Sequence, residues 1–282
     1  MAEPAKRETI SIGLAKITEN VRSLLSEVDR IQSTAARAST ILTHIAAEEA
    51  AKGFILVDYM RPYREVSPEM RSWHLRNVYQ HLARGIYGKY YESRPDAFEE
   101  AQSIVTSYRV SHYLDGPNDV DWIFRNQIKE GRERELYVDL TLNEERLQWY
   151  SPTDWWQRYS MLQDLSEFTV LEPPICNIFL VMQEVGLFSQ KALDIMAKTW
   201  KDISITKTTR WGSYVTVNQT FLKECEKKGL LSSGITNEAQ EQIIDQFLYP
   251  LCGLDLGMVK VTAEELQATR EQHLGFMYGE QY

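Results

Sequence analysis

The stretch Arg71-Ser-Trp-His-Leu-Arg-Asn-Val-Tyr-Gln-His-Leu-Ala-Arg84 combines apolar residues at helical spacing with arginines, two side-chain amides and two imidazoles. Just before it, Ser67-Pro68-Glu69 is a typical helix start, because serine caps the first turn and proline fits the first helical position. The apolar spacing continues to Tyr90. We therefore predict one continuous helix from Pro68 to about Glu92.

The same periodicity recurs on both sides of this stretch. A first long helix is predicted from its apolar stripe, which consists of Ile10, Leu14, Ile17, Val21, Leu24, Leu25, Val28 and Ile31. A second helix should run to about Tyr59 and stop before Pro62, and a fourth should begin at Pro95-Asp96. Later helices are predicted over residues 175–185, 189–202, 217–228, 237–251 and 262–273, the last with a Thr262 to Glu265 capping box. The fold class expected is all-α, a helical bundle with an additional helical C-terminal region.

Three segments between these helices are less regular. Residues 119–135 favour another short helix, and the alternation over residues 136–140 fits either a strand or, in preference, an extended connection. Trp149, Pro152, Trp155 and Trp156 should form a buried aromatic loop. Glu172-Pro173-Pro174 is the strongest break in the chain, so we predict a helical domain over residues 1–172 and a C-terminal extension over 173–282. This extension would serve as a lid or an interaction region.

Composition narrows the class of protein. The chain has 282 residues, of which 43% are hydrophobic and 25% are charged, values typical of a folded globular protein. Its net charge of -9 argues against a protein that coats nucleic acid by bulk electrostatics. The stretch from Arg61 to Arg94 is different, because seven Arg and Lys against three Glu give it a local charge of +4. A local basic site is therefore compatible with the negative net charge of the whole chain.

The sequence gives no sign of secretion, membrane insertion, disulfides or metal. The first residues lack the apolar core of a signal peptide, and the most apolar run, residues 175–188, is too short to span a bilayer. Three distant cysteines form no C-x-x-C pair, and no histidine has a Glu three positions before it, as di-iron bundles require. We expect a cytoplasmic protein with no membrane partner, no metal site and no cofactor.

Arg76, Asn77 and His81 are the candidate catalytic residues. On a continuous helix Asn77 and His81 share a face, and the long Arg76 side chain can reach the same phosphate. Cleavage of RNA by its own 2′-hydroxyl needs a base, a cation for the charge on phosphorus, and an acid for the leaving 5′-oxygen. Histidine suits the proton transfers and arginine the charge, without a metal. The alternative is that both are merely solvated, since an Arg five places before a His often arises by chance.

The segment Ala46-Ala47-Glu48-Glu49-Ala50-Ala51-Lys52 places two acids among small residues on the second helix. Glu48 and Lys52 are four apart, an order that favours a solvated helix-surface pair worth about 0.2–0.5 kcal/mol. Alternatively, the alanines let a neighbouring helix approach, and at least one carboxylate points inward to a partner. Both interpretations stay open at the level of sequence.

Arg76-Asn77-x-x-x-His81 resembles the signature of the HEPN superfamily of helical ribonucleases. Its surroundings resemble, more narrowly, the AbiV family of bacterial abortive infection proteins. An Ala-Glu-Glu-Leu-Gly-Lys-like segment is matched by residues 47–52, a His-Lys-x-Lys-like segment by residues 81–84, and a Gly-Leu-Tyr-Val-Asp-like segment by residues 135–139. The departures are Ala50-Ala51 for Leu-Gly, Leu82 and Arg84 for two lysines, and Glu135 for Gly. The resemblance covers about residues 35–155.

The resemblance implies an HEPN-like bundle that forms a homodimer and cuts RNA where two copies of the motif meet. In such a dimeric ribonuclease Arg76, Asn77 and His81 would be catalytic, and the supporting residues would be Glu48, Glu49 and Lys52. RNA would contact the basic stretch through Arg71, Arg84 and Lys89, and no DNA substrate is expected. Such a nuclease would act in antiphage defence, restrained by an inhibitor or switched on by a phage-encoded trigger. The alternative is a non-catalytic helical module that binds a phage or host protein.

Overall fold

The computed structural model describes residues 3–110, 112–114, 123–129, 136–143, 146–151 and 172–259, with the single residues 262, 264, 265 and 268. The chain divides into two compact units. The first comprises Met1–Val105 and Phe168–Leu256, and the second comprises Thr106–Glu167 and Gly257–Tyr282. The boundary predicted at residue 173 is therefore not the division that the contacts make. The helices after Pro173 join the N-terminal helices in one core.

The described residues confirm the all-α fold class. The helices in chain order are α1 (Glu3–Ile31), α2 (Ala36–Met60), α3 (Pro68–His74), the 3₁₀ helix η1 (Leu75–Tyr79), α4 (His81–Ser93), α5 (Phe98–Arg109), α6 (Pro174–Glu184), α7 (Gln190–Trp200), α8 (Trp211–Lys227) and α9 (Asn237–Gln246). As predicted, α2 ends before Pro62, and the Ser67 hydroxyl accepts a hydrogen bond from the Met70 N–H at 3.2 Å. Nothing among these helices is both long and apolar enough to cross a membrane.

Helix α2 is the centre of the first unit. From Ala46 to Met60 most of its side chains are buried, because α1, α4, α6 and α7 all pack against it. Four residues of the stripe predicted on α1 are buried in this core, namely Ile10, Leu14, Val21 and Val28. Alanines and Gly53 on α2 keep these helices close. A Cβ at Gly53 would lie 2.1 Å from the Phe179 ring, so glycine permits the close approach of α6.

The helix predicted from Pro68 to Glu92 is wrong as a single element. It breaks into α3, η1 and α4, and Gln80 between η1 and α4 is extended, with φ -97° and ψ 114°. A side chain causes part of the break, since the Arg84 Nε donates to the Val78 carbonyl at 2.9 Å. That carbonyl would otherwise accept the next helical bond. Consequently Asn77 and His81 do not lie on one helix face.

A buried ion pair between Asp58 and Arg61 connects α2 to its neighbours. Arg61 contacts Asp58 Oδ1 through Nε at 2.8 Å and Nη2 at 2.7 Å, and its Nη1 donates to the Leu248 carbonyl at 2.7 Å. Asp58 Oδ2 accepts from the Leu251 N–H at 2.7 Å and from the Tyr87 hydroxyl at 2.5 Å. Buried charges require such partners. Here the partners come from α4 and the segment after α9.

His74 lies at the edge of this ion pair, at the end of α3. Its Nε2 is 3.1 Å from the Tyr87 oxygen, and since that hydroxyl already donates to Asp58, Nε2 carries the proton and donates to Tyr87. Burial is the main cause that lowers the pKa of His74 to about 4; the Asp58 carboxylate opposes this shift and the Arg61 charge contributes to it. The imidazole is therefore neutral in the folded protein near pH 7.

The described residues of the second unit include two antiparallel pairs of strands. Strand β1 (His112–Leu114) pairs with β2 (Ile123–Arg125), and β3 (Asp139–Asn143) pairs with β4 (Arg146–Tyr150). The helix predicted over residues 119–135 is thus wrong at β2, where β-branched and aromatic side chains favour pairing. The extended connection preferred over residues 136–140 is wrong where β3 begins, because a second strand follows to pair with it.

Two further predictions fall in this unit. Trp149 lies on β4 with its side chain 69% exposed, so the expected buried position is wrong, whereas Pro152, Trp155 and Trp156 lie outside the described residues. The capping box is confirmed: the Thr262 N–H donates to Glu265 Oε2 at 2.8 Å, and the Glu265 N–H donates to the Thr262 hydroxyl at 3.2 Å. Most of the predicted helix over 262–273 also lies outside the described residues.

We expect Gly53→Ala to lower the free energy of unfolding by about 1–3 kcal/mol, because the added methyl group overlaps the buried Phe179 ring. Gly88→Ala in α4 is the matched control, since no atom lies within 4 Å of its added Cβ. There alanine should stabilise the helix by up to about 1 kcal/mol. Urea denaturation followed by circular dichroism measures both changes. Equal shifts for the two variants would contradict the close α2–α6 contact.

We expect the neutral, buried His74 to make stability fall as pH falls. Its folded pKa of about 4 lies below the unfolded value near 6.5, so between these pH values only the unfolded chain takes up the proton. The loss should reach about 3 kcal/mol by pH 4 and be absent above pH 7. Comparing wild type with His74→Gln by urea denaturation at several pH values isolates this effect. Parallel pH profiles would contradict it.

Candidate active site

His81 and Glu48 form a hydrogen-bonded pair between α4 and α2. The His81 Nδ1 lies 2.7 Å from Glu48 Oε2. His81 is the first residue of α4 and its side chain is 45% exposed, whereas the Glu48 side chain is 19% exposed. The carboxylate is therefore mostly enclosed, and the imidazole lies at the surface.

This contact decides which ring nitrogen of His81 carries the proton. A carboxylate can only accept a hydrogen bond, so Nδ1 must be the donor. In the neutral imidazole, Nε2 is then the unprotonated nitrogen. Nε2 can accept a proton from a bound molecule, which is the property that a general base requires.

Arg84 lies behind this pair and is almost fully buried. Its Nη1 contacts the same Glu48 oxygen at 3.2 Å, and its Nε donates to the Val78 carbonyl at 2.9 Å. The arginine thus balances the charge of Glu48 and connects it to η1. We refer to His81, Glu48, Arg84 and Val78 as the His81 cluster. Sequence reasoning assigned Arg84 to RNA contact and missed this role, for which the chain offers no local spacing signal.

Arg76 and Asn77, the other catalytic candidates, lie on η1 in contrasting surroundings. The Arg76 side chain is exposed, and no hydrogen bond or ion pair from it is recorded within the described part of the chain. Asn77 is only 5% exposed, and its Nδ2 is buried without a hydrogen-bond partner among the described residues. Arg76 is therefore accessible to a ligand, whereas Asn77 faces the protein interior.

The supporting residues Glu49 and Lys52 form their own ion pair on α2. The sequence had favoured Glu48 as the partner of Lys52, but the contact is made by Glu49, three residues before it. Glu48 instead meets His81 across the helix interface. Both carboxylates are mostly enclosed, with 19% and 15% of their side chains exposed, as expected if the alanines let a helix approach.

Of the residues predicted to contact RNA, Arg71 and Arg84 take part in contacts within the fold. Arg71 donates to the Tyr59 carbonyl through Nη2 at 3.1 Å, and its guanidinium lies 4.6 Å from the centre of the Tyr59 ring. Lys89 is at the surface, where it pairs with Glu92 at 2.7 Å. Arg76 is thus the more accessible cation.

Catalysis by a cysteine nucleophile or by a bound metal ion has less support from the described residues. Burial raises the pKa of Cys225 and Cys252 to about 12 and also raises that of Cys176, so these thiols are poor nucleophiles at neutral pH. No group of three or more His, Cys, Asp or Glu side chains in the described ranges could hold a metal ion.

Comparisons with known proteins gave no match: no protein-family model, curated protein or solved structure corresponds to this chain. The resemblance to the HEPN and AbiV families therefore depends on the quoted sequence segments alone. Any proposal of function therefore also has to be argued from the chemistry of the His81 cluster.

We expect Glu48→Gln to lower the free energy of unfolding by about 1–3 kcal/mol, because the buried Arg84 charge loses its carboxylate. Glu49→Gln is the matched control on the adjacent residue. Its basic partner Lys52 is more exposed than Arg84, with 24% against 8% of the side chain accessible, so the loss there should be below about 1 kcal/mol. Urea denaturation compares the two variants. Equal losses would mean that the Glu48–Arg84 contact contributes no more to the free energy of unfolding than the Glu49–Lys52 pair does.

Proposed function

We propose that this protein is a metal-independent endoribonuclease with His81 as general base and Arg76 as the cation at the phosphate. The observation that carries the proposal is the contact of His81 Nδ1 with Glu48 Oε2 at 2.7 Å. It holds the ring at a partly exposed position and leaves Nε2 as the basic nitrogen. Arg84 behind Glu48 keeps the carboxylate paired.

In the proposed reaction, His81 Nε2 takes the proton of an RNA 2′-hydroxyl. The 2′-oxygen then forms a bond to phosphorus while the bond from phosphorus to the 5′-oxygen breaks. Arg76 stabilises the negative charge that builds up on the phosphoryl oxygens. The leaving 5′-oxygen takes up a proton, and the products are a 2′,3′-cyclic phosphate and a 5′-hydroxyl end. No group beyond the protein and the RNA has to enter this scheme.

The proposal extends to a homodimer, in which a second copy of the chain brings its own Arg76 and His81 to the same phosphodiester. The second imidazole would then protonate the leaving oxygen. This arrangement, and a role in bacterial antiphage defence with an inhibitor or a phage trigger, come from the resemblance to HEPN and AbiV proteins.

A non-catalytic module that binds a phage or host protein is the second candidate. The observation in its favour is the exposure of large apolar side chains close to the motif, with Met70 at 37% and Trp73 at 38%. Aromatic residues and methionine are enriched where proteins bind one another. Under this alternative, loss of function should follow changes at Trp73, and His81 should be dispensable.

The test is RNA cleavage in the presence of a chelator by wild type, His81→Ala and Arg76→Ala. We expect each variant to lose at least about 100-fold in rate, the usual contribution of a general base or an oxyanion-stabilising cation. His44→Ala on α2, which removes another exposed histidine, is the control and should cut at the wild-type rate. The products should carry cyclic phosphate ends. The nuclease proposal fails if wild type leaves RNA intact, or if His81→Ala cuts it equally well.

A further inference from the structure

Tyr79 is the most exposed of the large apolar side chains recorded among the described residues, at 79%. It ends η1 and lies between Arg76 and His81 in the chain. The Arg76-to-His81 motif leaves this position variable, and the proposed reaction does not use it. The exposed Tyr79 ring gains little of the free energy that burial of apolar surface provides in a folded protein.

The backbone on both sides of Tyr79 is fixed by hydrogen bonds. Val78 before it accepts from the Arg84 Nε at 2.9 Å. Gln80 after it donates its N–H to the Asn77 carbonyl at 2.9 Å and accepts from the Arg84 N–H at 3.1 Å. The ring is therefore presented by an ordered turn, so a ligand that stacks on it does not have to order the backbone first.

The same contacts connect Tyr79 to His81. Arg84, which holds Val78, also contacts the Glu48 oxygen that holds the imidazole. Tyr79 and His81 are two residues apart, which limits the distance between their Cα atoms to about 7 Å. Tyr79 is thus close along the backbone to the proposed general base, and the exposed Arg76 lies three residues before it in the chain.

We propose that Tyr79 is a stacking platform for an unpaired base of single-stranded RNA beside the bond that is cut. This inference rests on the proposed nuclease function and names its substrate class. Proteins that recognise single-stranded RNA stack its bases on aromatic side chains, and a base within a duplex is not accessible in this way. Because the protein has a net charge of -9, bulk attraction to phosphate is weak, and stacking has more of the binding to provide.

Binding tests the inference without cleavage. The probe is a short, fluorescently labelled 2′-O-methyl RNA, which lacks the attacking hydroxyl, used single-stranded and as a duplex with the wild-type full chain. Tyr79→Ala should raise the Kd for the single strand about 5- to 100-fold. Tyr79→Trp should stay within about threefold of wild type, because it keeps an aromatic face. The control is Trp211→Ala on α8, a 45% exposed aromatic that should have no effect.

Cleavage kinetics distinguish a residue that binds the RNA substrate from one that takes part in proton transfer. With an unmodified single-stranded RNA, Tyr79→Ala should raise KM by about the same factor as Kd while kcat stays within about threefold, because the ring binds the substrate and moves no proton. His81→Ala should instead lower kcat. Tyr79→Leu should behave like Tyr79→Ala, since a leucine has no face on which a base can stack.

The outcomes separate this inference from the proposed function. If Tyr79→Ala leaves Kd and KM unchanged while His81→Ala abolishes cleavage, the stacking role is wrong and the nuclease proposal stands. If Tyr79→Leu binds as tightly as wild type, the side chain makes an apolar contact and the stacking role is also wrong. If Tyr79→Ala weakens single-strand binding but wild type cuts no RNA, the stacking role stands and the nuclease proposal fails. Failure of wild type to bind the single-stranded probe overturns the stacking role, whereas the nuclease proposal is decided by cleavage of unmodified RNA.

Discussion

The buried ion pair between Asp58 and Arg61 is the constraint on which the first unit depends. An uncompensated charge in a protein core costs several kcal/mol, so each partner of this pair has to be in place. Arg61 lies 3.8 Å from the centre of the Phe247 ring and donates to the Leu248 carbonyl, while Asp58 accepts from Tyr87 and Leu251. These contacts fix α4 and the segment after α9 against the end of α2. The position of His81 at the start of α4 follows from them.

Two polar networks therefore join α2 and α4, and they differ in exposure. The network at Asp58 is closed to solvent and ties the core together. The network at Glu48 is ten residues away, about 15 Å along α2, and it opens to the surface at His81. Arg84 is buried like Arg61 and balances Glu48 as Arg61 balances Asp58. An accessible base held by a rigid interior is the arrangement that proton transfer requires.

The interrupted helix explains why the candidate site was only partly predictable. The spacing of Arg76 and His81 identified the two residues that the proposed reaction uses. The alanines beside Glu48 indicated that a carboxylate there could be enclosed by a neighbouring helix. The geometry assumed for them was wrong, because η1 and the extended Gln80 replace two turns of α-helix. As a result, Asn77 is buried. Tyr79 is exposed at a position that helical periodicity does not single out.

The sequence by itself determined most helix positions and the all-α class, because apolar spacing, the Ser67 cap and the prolines act within a few residues of one another. It also determined the capping pair of Thr262 and Glu265 for the same reason. Only the tertiary structure decided which acid meets His81, since Glu48 lies 33 residues away on another helix. It also decided where the helix after Ser67 breaks, because the Arg84 side chain that takes the Val78 carbonyl is positioned by Glu48. Such contacts depend on how the helices pack, and local periodicity carries no information about packing partners.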